Sequence, residues 1–292
     1  GVRMSRRTPL VAGNWKMNLD HVEAAGFVQR LSWLLHDARY DYDSSAEIAI
    51  MPPYTSIRSV QVLLQAERMR VKVGAQNVSA ISGGAFTGDI SARMLQRLGC
   101  SYVIVGHSER RKYHPEDDVD PVDKVRAVLA AGMQPILCVG ESLSERSQGI
   151  ELEYAVGQVS DVTRDLSDAE ASRLLIAYEP VWAIGGGMSA TPKTAQNAAA
   201  AIRQHFRDPR CGIGKSAREH GFAEILTAGI LGKIVIQVPQ RLCQLCPLKG
   251  SGFRNLNIGD ILPGIQQLPD PDSGIRPRNH MGIGAVSCRQ TA

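Results

Sequence analysis

The sequence predicts an α/β fold, a (β/α)8 barrel whose strands alternate along the chain with helices. Six short apolar runs recur before residue 206, and amphipathic stretches with helical spacing lie between them. Alternation of this kind is typical of parallel strands joined by helical crossovers. The runs are apolar at consecutive positions, as expected for strands buried on both faces. A chain of 292 residues leaves room for the two further units that close such a barrel.

Local signals place the ends of these elements. The predicted strands cover residues 10–12, 46–51, 71–75, 102–105, 135–139 and 174–177, and the predicted helices include 21–36, 91–98, 122–131, 154–166 and 192–206. Thr191 precedes Pro192, which puts a capping side chain before a proline at the first helical position. Gly99 and Gly132 stand where two helices are expected to end.

Bulk composition indicates a globular protein without a strongly charged partner. Hydrophobic residues make up 43% of the chain and the formal net charge is +4, which favours neither nucleic acid nor a membrane surface. No apolar run approaches the roughly 20 residues of a membrane span, and no apolar signal core follows the basic N-terminus. Six cysteines are too few for a disulfide framework. We therefore expect a cytoplasmic protein.

The composition changes after about residue 206. Residues 207–292 contain seven of the fifteen prolines and four of the six cysteines, and their net charge is +5 against −1 for residues 1–206. Conflicting local signals are typical of a poorly specified fold. We divide the chain into residues 1–206, which carry six βα units, and an atypical region, 207–292. Strands 7 and 8 are expected to be irregular, and their candidates are residues 224–226 and 233–238.

A carboxylate, Glu179, comes at the end of the sixth predicted strand. Pro180 stops that strand, and three glycines follow at 185–187. This is the arrangement of a catalytic base on a rigid strand, followed by a hinged lid. A carboxylate beside apolar neighbours acquires a higher pKa and acts well as a general base. The alternative is a strand-end glutamate in a surface ion pair.

An imidazole, that of His107, follows the fourth predicted strand and Gly106. If a helical turn begins here, its amides and dipole disfavour the imidazolium form. A neutral imidazole can then donate to a developing oxyanion, although a core or capping histidine is an equal alternative. Glu109 either orients a neighbour or pairs with Arg110 or Arg111 on the surface.

A cation, Lys16, follows the first predicted strand and lies two residues beyond Asn14. A lysine at the mouth of a barrel suits phosphate or carboxylate binding; the alternatives are a Schiff-base nucleophile or an exposed lysine. Asn14 either positions Lys16, binds substrate or serves the turn. Base, imidazole and cation on three strand ends together indicate proton transfer on a small anionic substrate.

Two cysteines, Cys243 and Cys246, have the spacing of half a zinc site. Structural zinc sites use four ligands, and no second pair follows at a suitable spacing. A redox role for this pair requires a βαβ context, which the region lacks. We therefore predict no metal site here.

Taken together, the strand-end segments resemble triosephosphate isomerase, the family that gives the TIM barrel its name. The resemblance covers roughly residues 8–206 and depends on several segments in a fixed order. They are GNWKMN at 13–18, GAQN at 74–77, GAFTGDIS at 84–91, GHSERR at 106–111, CVGES at 138–142 and AYEPVWAIG at 177–185.

The resemblance implies an aldose–ketose isomerase that interconverts dihydroxyacetone phosphate and glyceraldehyde 3-phosphate through an enediolate, a step of glycolysis and gluconeogenesis. It makes Glu179 the base that moves a proton between two substrate carbons, and His107 the electrophile that polarises the carbonyl. It assigns substrate binding to Lys16 and Asn14. No metal or organic cofactor is implied.

Further residues receive roles by the same resemblance. Ser108 and Glu109 become supporting residues, and residues 180–190 become the lid, from which the Gly185 amide reaches the phosphate. Members of the family are usually homodimers, in which a loop like that around Thr87 inserts beside the partner's active site.

The chain departs from the family in the lid and after residue 206. The second hinge of the lid reads GGMS at 186–189, where the family usually has Thr-Gly-Lys-Thr. The phosphate-binding segments Tyr-Gly-Gly-Ser-Val and Gly-Gly-Ala-Ser, expected after strands 7 and 8, are missing. Residues 207–292 are therefore either out of frame, with a change near 207–227, or divergent. One alternative function is a catalytically impaired or inactive relative, and another is an aldolase that uses Lys16.

Overall fold

The computed structural model describes residues 9–43, 46–115, 121–184 and 189–207, and the backbone of two further strands. All of them belong to the first of two units, Gly1–Ser251; the second is Gly252–Ala292. The strands form a closed barrel in chain order. They are β1 (Leu10–Asn14), β2 (Glu47–Met51), β3 (Lys72–Ala75), β4 (Cys100–Val105), β5 (Gln134–Val139), β6 (Leu175–Tyr178), β7 (Ile225–Ala228) and β8 (Ile234–Gln237).

From β1 to β7, each strand pairs in parallel with the next, which confirms the predicted α/β barrel over this part of the chain. The first six strands lie within one residue or two of the predicted runs. Alternate residues of five strands fill one continuous core, in which small side chains lie beside large ones. Its members are Leu10, Ala12, Ala49, Met51, Tyr102, Ile104, Ile136, Cys138, Leu175 and Ala177.

Helices cover the outside of the parallel strands. They are α1 (His21–Asp37), α2 (Tyr54–Ala66), α3 (Ala92–Arg97), α4 (Ser108–Tyr113), α5 (Pro121–Ala130), α6 (Leu143–Ser147), α7 (Glu151–Thr163), α8 (Asp168–Ala171) and α9 (Pro192–Arg207), with a 3₁₀ turn at Val181–Ala183. Thr191 accepts a hydrogen bond from the Thr194 amide, as its capping position predicts. Gly99 and Gly132 have φ of +75° and +83°, the left-handed conformation that ends a helix.

Strand β8 runs antiparallel to both β7 and β1. The segments predicted as candidates for the last two strands overlap β7 and β8. The last strands are expected to be irregular, and the irregular feature is that β8 runs antiparallel to its neighbours. The cause is the connection, because only residues 229–233 separate the two strands. A parallel crossover needs a dozen or more residues, whereas an antiparallel pair can be joined by a short loop.

None of the helices that the structure describes has both the length and the apolar character needed to cross a bilayer.

Candidate active site

The predicted catalytic residues follow three strands at one end of the barrel. Lys16 lies two residues after β1, His107 lies two residues after β4, and Glu179 directly follows β6. Parallel strands place their carboxyl ends on the same face, where active sites of this fold are built. The structure connects Lys16, His107, Ser108, Glu109 and Glu179 through direct contacts. Gly185 and most of the predicted second hinge lie outside the described residues.

The Glu179 carboxylate is almost completely buried, with a relative exposure of 1%. Its backbone N–H donates to the Val139 carbonyl at 2.7 Å, which continues the β5–β6 pairing by one residue. One carboxylate oxygen accepts from the Ser108 amide at 3.0 Å, and the other lies 3.0 Å from His107 Nε2. These contacts exclude the alternative of a surface ion pair and aim a buried carboxylate at an imidazole.

His107 caps helix α4, so the predicted helical turn does begin at this point. Its Nδ1 accepts a hydrogen bond from the Glu109 amide at 3.2 Å. A ring nitrogen that accepts a hydrogen bond carries no proton, so Nε2 is the ring nitrogen that is left to act as a donor. Nε2 then donates to Glu179 at 3.0 Å. The ring is therefore both a cap and a hydrogen-bond donor directed toward the candidate base.

Lys16 forms an ion pair with Glu109, with 2.5 Å between Nζ and Oε1. The ion pair agrees with the first of the two roles considered for Glu109, the orientation of a neighbouring side chain, which here is that of Lys16. The Lys16 side chain is 28% exposed, which also removes the alternative of a fully solvated lysine. An ion pair suits a charged ammonium, whereas a Schiff base requires the free amine.

The backbone at Lys16 is unusual, because its φ is +54°. The side chain of Asn14 accepts from the Lys16 amide at 2.9 Å, a contact that serves the turn after β1 and fixes the backbone of Lys16. The Gln76 side chain donates to the carbonyls of Lys16 and Met51, both at 2.8 Å. A left-handed non-glycine residue persists where its surroundings fix it. No pattern in the sequence indicated a role for Gln76, although it lies in the segment at 74–77.

The backbone of Gly140 lies very close to the backbone of Glu179, the candidate base. Gly140 has φ of +158°, and a Cβ atom at this position would lie 1.8 Å from the Glu179 carbonyl oxygen. Real Cβ atoms do not approach backbone atoms this closely, so only glycine fits here. This glycine belongs to the segment at 138–142. Its contact with Glu179 could not be predicted from the sequence, because the two residues are 39 positions apart.

The first part of the predicted lid is held by a buried carboxylate, Glu141, whose relative exposure is 0%. The Tyr178 hydroxyl lies 3.0 and 2.9 Å from its two oxygens, and Trp182 Nε1 donates to it at 2.7 Å. The Glu141 carbonyl also accepts from the Val181 amide at 3.0 Å. Burial, and secondly the Glu141 charge, raises the pKa of Tyr178. The carboxylate thus ties the 3₁₀ turn after Glu179 to the end of β5.

Within the described part of the chain, no three His, Cys, Asp or Glu side chains come together as a metal-binding group. Cys243 and Cys246 lie outside that part.

Comparison with known proteins gives one consistent result. A family model described as triosephosphate isomerase matches residues 9–218. The triosephosphate isomerase of Bifidobacterium longum (strain DJO10A) is 66% identical over 203 residues, which cover 70% of this chain and 76% of the relative. That of Streptomyces coelicolor is 46% identical over 232 residues, 76% and 89% of the two chains. That of Cutibacterium acnes is 46% identical over 229 residues, 75% and 88%.

Proposed function

The chain belongs to the triosephosphate isomerase family, and we propose that it interconverts dihydroxyacetone phosphate and glyceraldehyde 3-phosphate through an enediolate. As a member of this family it is an enzyme, an isomerase. One observation supports the proposal most directly: the buried Glu179 carboxylate lies 3.0 Å from Nε2 of His107. This pair contains the two groups that a carbon-to-carbon proton transfer beside a carbonyl needs.

In the proposed reaction Glu179 removes a proton from the carbon next to the substrate carbonyl. His107 donates the hydrogen bond from Nε2 to the carbonyl oxygen, where negative charge develops. Glu179 then returns the proton to the neighbouring carbon. The contact between His107 and Glu179 has to open when substrate binds, because the same Nε2 proton and the same carboxylate oxygens must turn to the substrate.

The proposal gives substrate binding to Lys16 and Asn14. The Lys16 ammonium supplies positive charge at the mouth of the barrel, and Glu109 and Asn14 fix its direction through the contacts already described. Ser108 supports the base by donating its amide to the carboxylate at 3.0 Å. The Gly185 amide and the lid of residues 180–190 complete the phosphate site in this proposal.

A homodimer belongs to the same proposal. Met17, Ile81 and Phe86 are 96%, 43% and 51% exposed, and they follow β1 and β3 on the loops at the catalytic face. A contiguous exposed apolar patch is typical of a surface that another protein covers, and we propose that these loops form such a patch. The loop around Thr87 lies in this region and would reach the partner. We further infer a cytoplasmic protein that needs no cofactor and binds neither nucleic acid nor membrane.

We retain the division into six βα units at 1–206 and an atypical region at 207–292 as a proposal. The alternative function, a catalytically impaired relative without the C-terminal phosphate loops, depends on the sequence of the second region. No contact among the described catalytic residues favours it over an active isomerase.

A coupled assay of triose phosphate interconversion tests the proposed function. We expect the purified chain to be active and Glu179→Ala to lose about 10²- to 10⁴-fold in kcat, the usual contribution of a general base. Glu153→Ala is the matched control, because this glutamate is exposed on α7, and it should retain full activity. An inactive wild-type chain that is folded would contradict the proposal and favour the impaired relative.

A further inference from the structure

Arg111 connects two strand ends at the catalytic face. The residue lies on α4, and its Nη1 donates to the carbonyl of Gly106 and, at 3.0 Å, to the carbonyl of Cys138. We propose that Arg111 is a positioning residue that holds His107 at its working distance from Glu179. This inference rests on the proposed isomerase function.

The two carbonyls lie just beyond the last registered pair of the β4–β5 ladder. Val105 pairs with Leu137; Gly106 directly follows β4, and Cys138 is the next residue of β5. The registered pairing of the two strands ends there, and a single guanidinium nitrogen joins the two chains at this point. Arg111 thus extends the connection between the strands by one residue, to the level of the active site.

Each of the two strand ends supports one catalytic group. Gly106 has φ of +69° and directly precedes His107, so the conformation of Gly106 sets the direction from which the imidazole enters the site. Cys138 precedes Val139, whose carbonyl accepts from the Glu179 amide at 2.7 Å. A change in the distance between Gly106 and Cys138 therefore changes the distance between the imidazole and the carboxylate.

The geometry suits arginine and not lysine. One guanidinium nitrogen carries two N–H bonds in a fixed plane and can serve two carbonyls at once, whereas the lysine ammonium is a compact group on a flexible stem. Arg111→Met keeps an unbranched apolar chain but removes every donor. Arg111→Lys keeps the charge and loses the planar arrangement, so it should recover activity only in part.

Removal of the donors should lower kcat without affecting substrate binding. Misplacement of a catalytic group by about 1 Å can cost about 100-fold in rate, and we expect a loss of this order in kcat for Arg111→Met. KM should stay within about twofold, because the loss falls on the transition state and not on uniform binding. Lys112→Met is the matched control on the same helix; Lys112 is exposed, and the variant should behave as wild type.

A double-mutant cycle separates positioning from general stability. If Arg111 acts through the imidazole, then Arg111→Met should cost less than about threefold in kcat when His107→Gln is already present, because residues that act as a unit are non-additive. The same loss of about 100-fold in both backgrounds would overturn the proposal and leave Arg111 a structural role only.

A spectroscopic measurement keeps the proposal testable whatever the activity. In ¹⁵N-labelled protein the Nε2 proton of His107 should give a distinct, hydrogen-bonded imidazole resonance, and Arg111→Met should shift or remove it while Lys112→Met leaves it unchanged. An unchanged resonance in Arg111→Met would contradict the positioning role. If the wild-type chain is inactive but its His107 resonance still shifts in Arg111→Met, the proposed function is refuted and the positioning role of Arg111 stands.

Discussion

Strands β1–β6 and strands β7–β8 contribute to the same barrel in different ways. Each connection within the first group carries helices and returns the chain to the starting end, so every strand runs in the same direction. The connection between β7 and β8 consists of residues 229–233, and the two strands pair antiparallel. The difference shows that the length of the connection decides the direction of the strand, because a parallel crossover requires a dozen residues or more.

Strand direction in turn decides what each region can offer to the active site. The parallel strands present their carboxyl ends at the catalytic face, and Lys16, His107 and Glu179 follow three of them. Strand β8 presents its amino end there instead, since Ile234 pairs with Gly13. The proposed proton transfer therefore depends on the parallel region of the barrel.

The strongest way to break the parallel region is Gly140→Ala. Its Cβ would meet the Glu179 carbonyl oxygen at 1.8 Å, and this oxygen is a backbone atom that cannot move aside as the end of a flexible side chain could. We expect the free energy of unfolding to fall by about 4 kcal/mol and kcat to fall with it, as measured by urea denaturation and the coupled assay.

Gly157→Ala is the matched control for this substitution. Gly157 lies within α7, and a Cβ atom added there would meet no atom within 4 Å outside the helix's own backbone. Alanine should therefore stabilise the helix by about 0.5–1 kcal/mol. Equal effects of the two substitutions on stability would contradict the close approach at Gly140.

Val235→Pro tests whether β8 closes the barrel. Strand β8 pairs on both sides, with β7 and with β1, so a proline at its second position removes a ladder donor and opposes the extended pairing. We expect urea denaturation to show a loss of about 3 kcal/mol. Val235→Thr keeps the amide and a β-branched side chain and should lie close to wild type. An unchanged free energy of unfolding in the proline variant would show that β8 contributes little to closure.

Tyr178→Phe has a smaller expected effect and tests how the first part of the lid is anchored. It removes the hydroxyl that donates to the buried Glu141 carboxylate, and loss of a partner for a buried acceptor costs about 1–3 kcal/mol. Tyr154→Phe, at an exposed position of α7, is the control and should cost almost nothing. Equal free energies of unfolding for the two variants would contradict the claim that the contact between Tyr178 and Glu141 anchors this part of the lid.

The same tyrosine predicts a pH dependence at the alkaline end. Because burial raises the pKa of Tyr178 above the ordinary value of 10.0, the folded chain keeps a proton that the unfolded chain releases. The stability that this contributes is complete below pH 10 and declines as the pH rises beyond it. The slope of the free energy of unfolding against pH above 10 should be shallower in Tyr178→Phe than in wild type; an identical slope would contradict the shift.

Much of the site could be predicted from the sequence because its chemistry lies at strand ends. Parallel strands share a carboxyl edge, so Lys16, His107 and Glu179 could be placed together although they are far apart in the chain. The helical turn predicted directly after His107 is present as α4, with His107 as its cap. These inferences need only local patterns and one rule of topology.

The residues that escaped prediction act on distant backbone carbonyls. Gln76 donates to the Lys16 carbonyl across 60 positions, and Arg111 donates to the Cys138 carbonyl across 27. Every residue has a carbonyl, so such contacts leave no pattern of residue types that a sequence reveals. The direction of β8 could not be predicted for a related reason. It depends on the length of the connection after the end of β7, and not on the composition of either strand.

Exchange of a carbon-bound proton with solvent tests the central claim most directly, since it isolates the chemical step that the parallel region is proposed to perform. The substrate is dihydroxyacetone phosphate in deuterated water, followed by ¹H NMR, with wild-type chain beside Glu179→Gln, which keeps the size of the side chain. We predict deuterium incorporation by the wild type and a loss of about 10²- to 10⁴-fold in the variant. Equal rates of incorporation by the two proteins would contradict the assignment of Glu179 as the base.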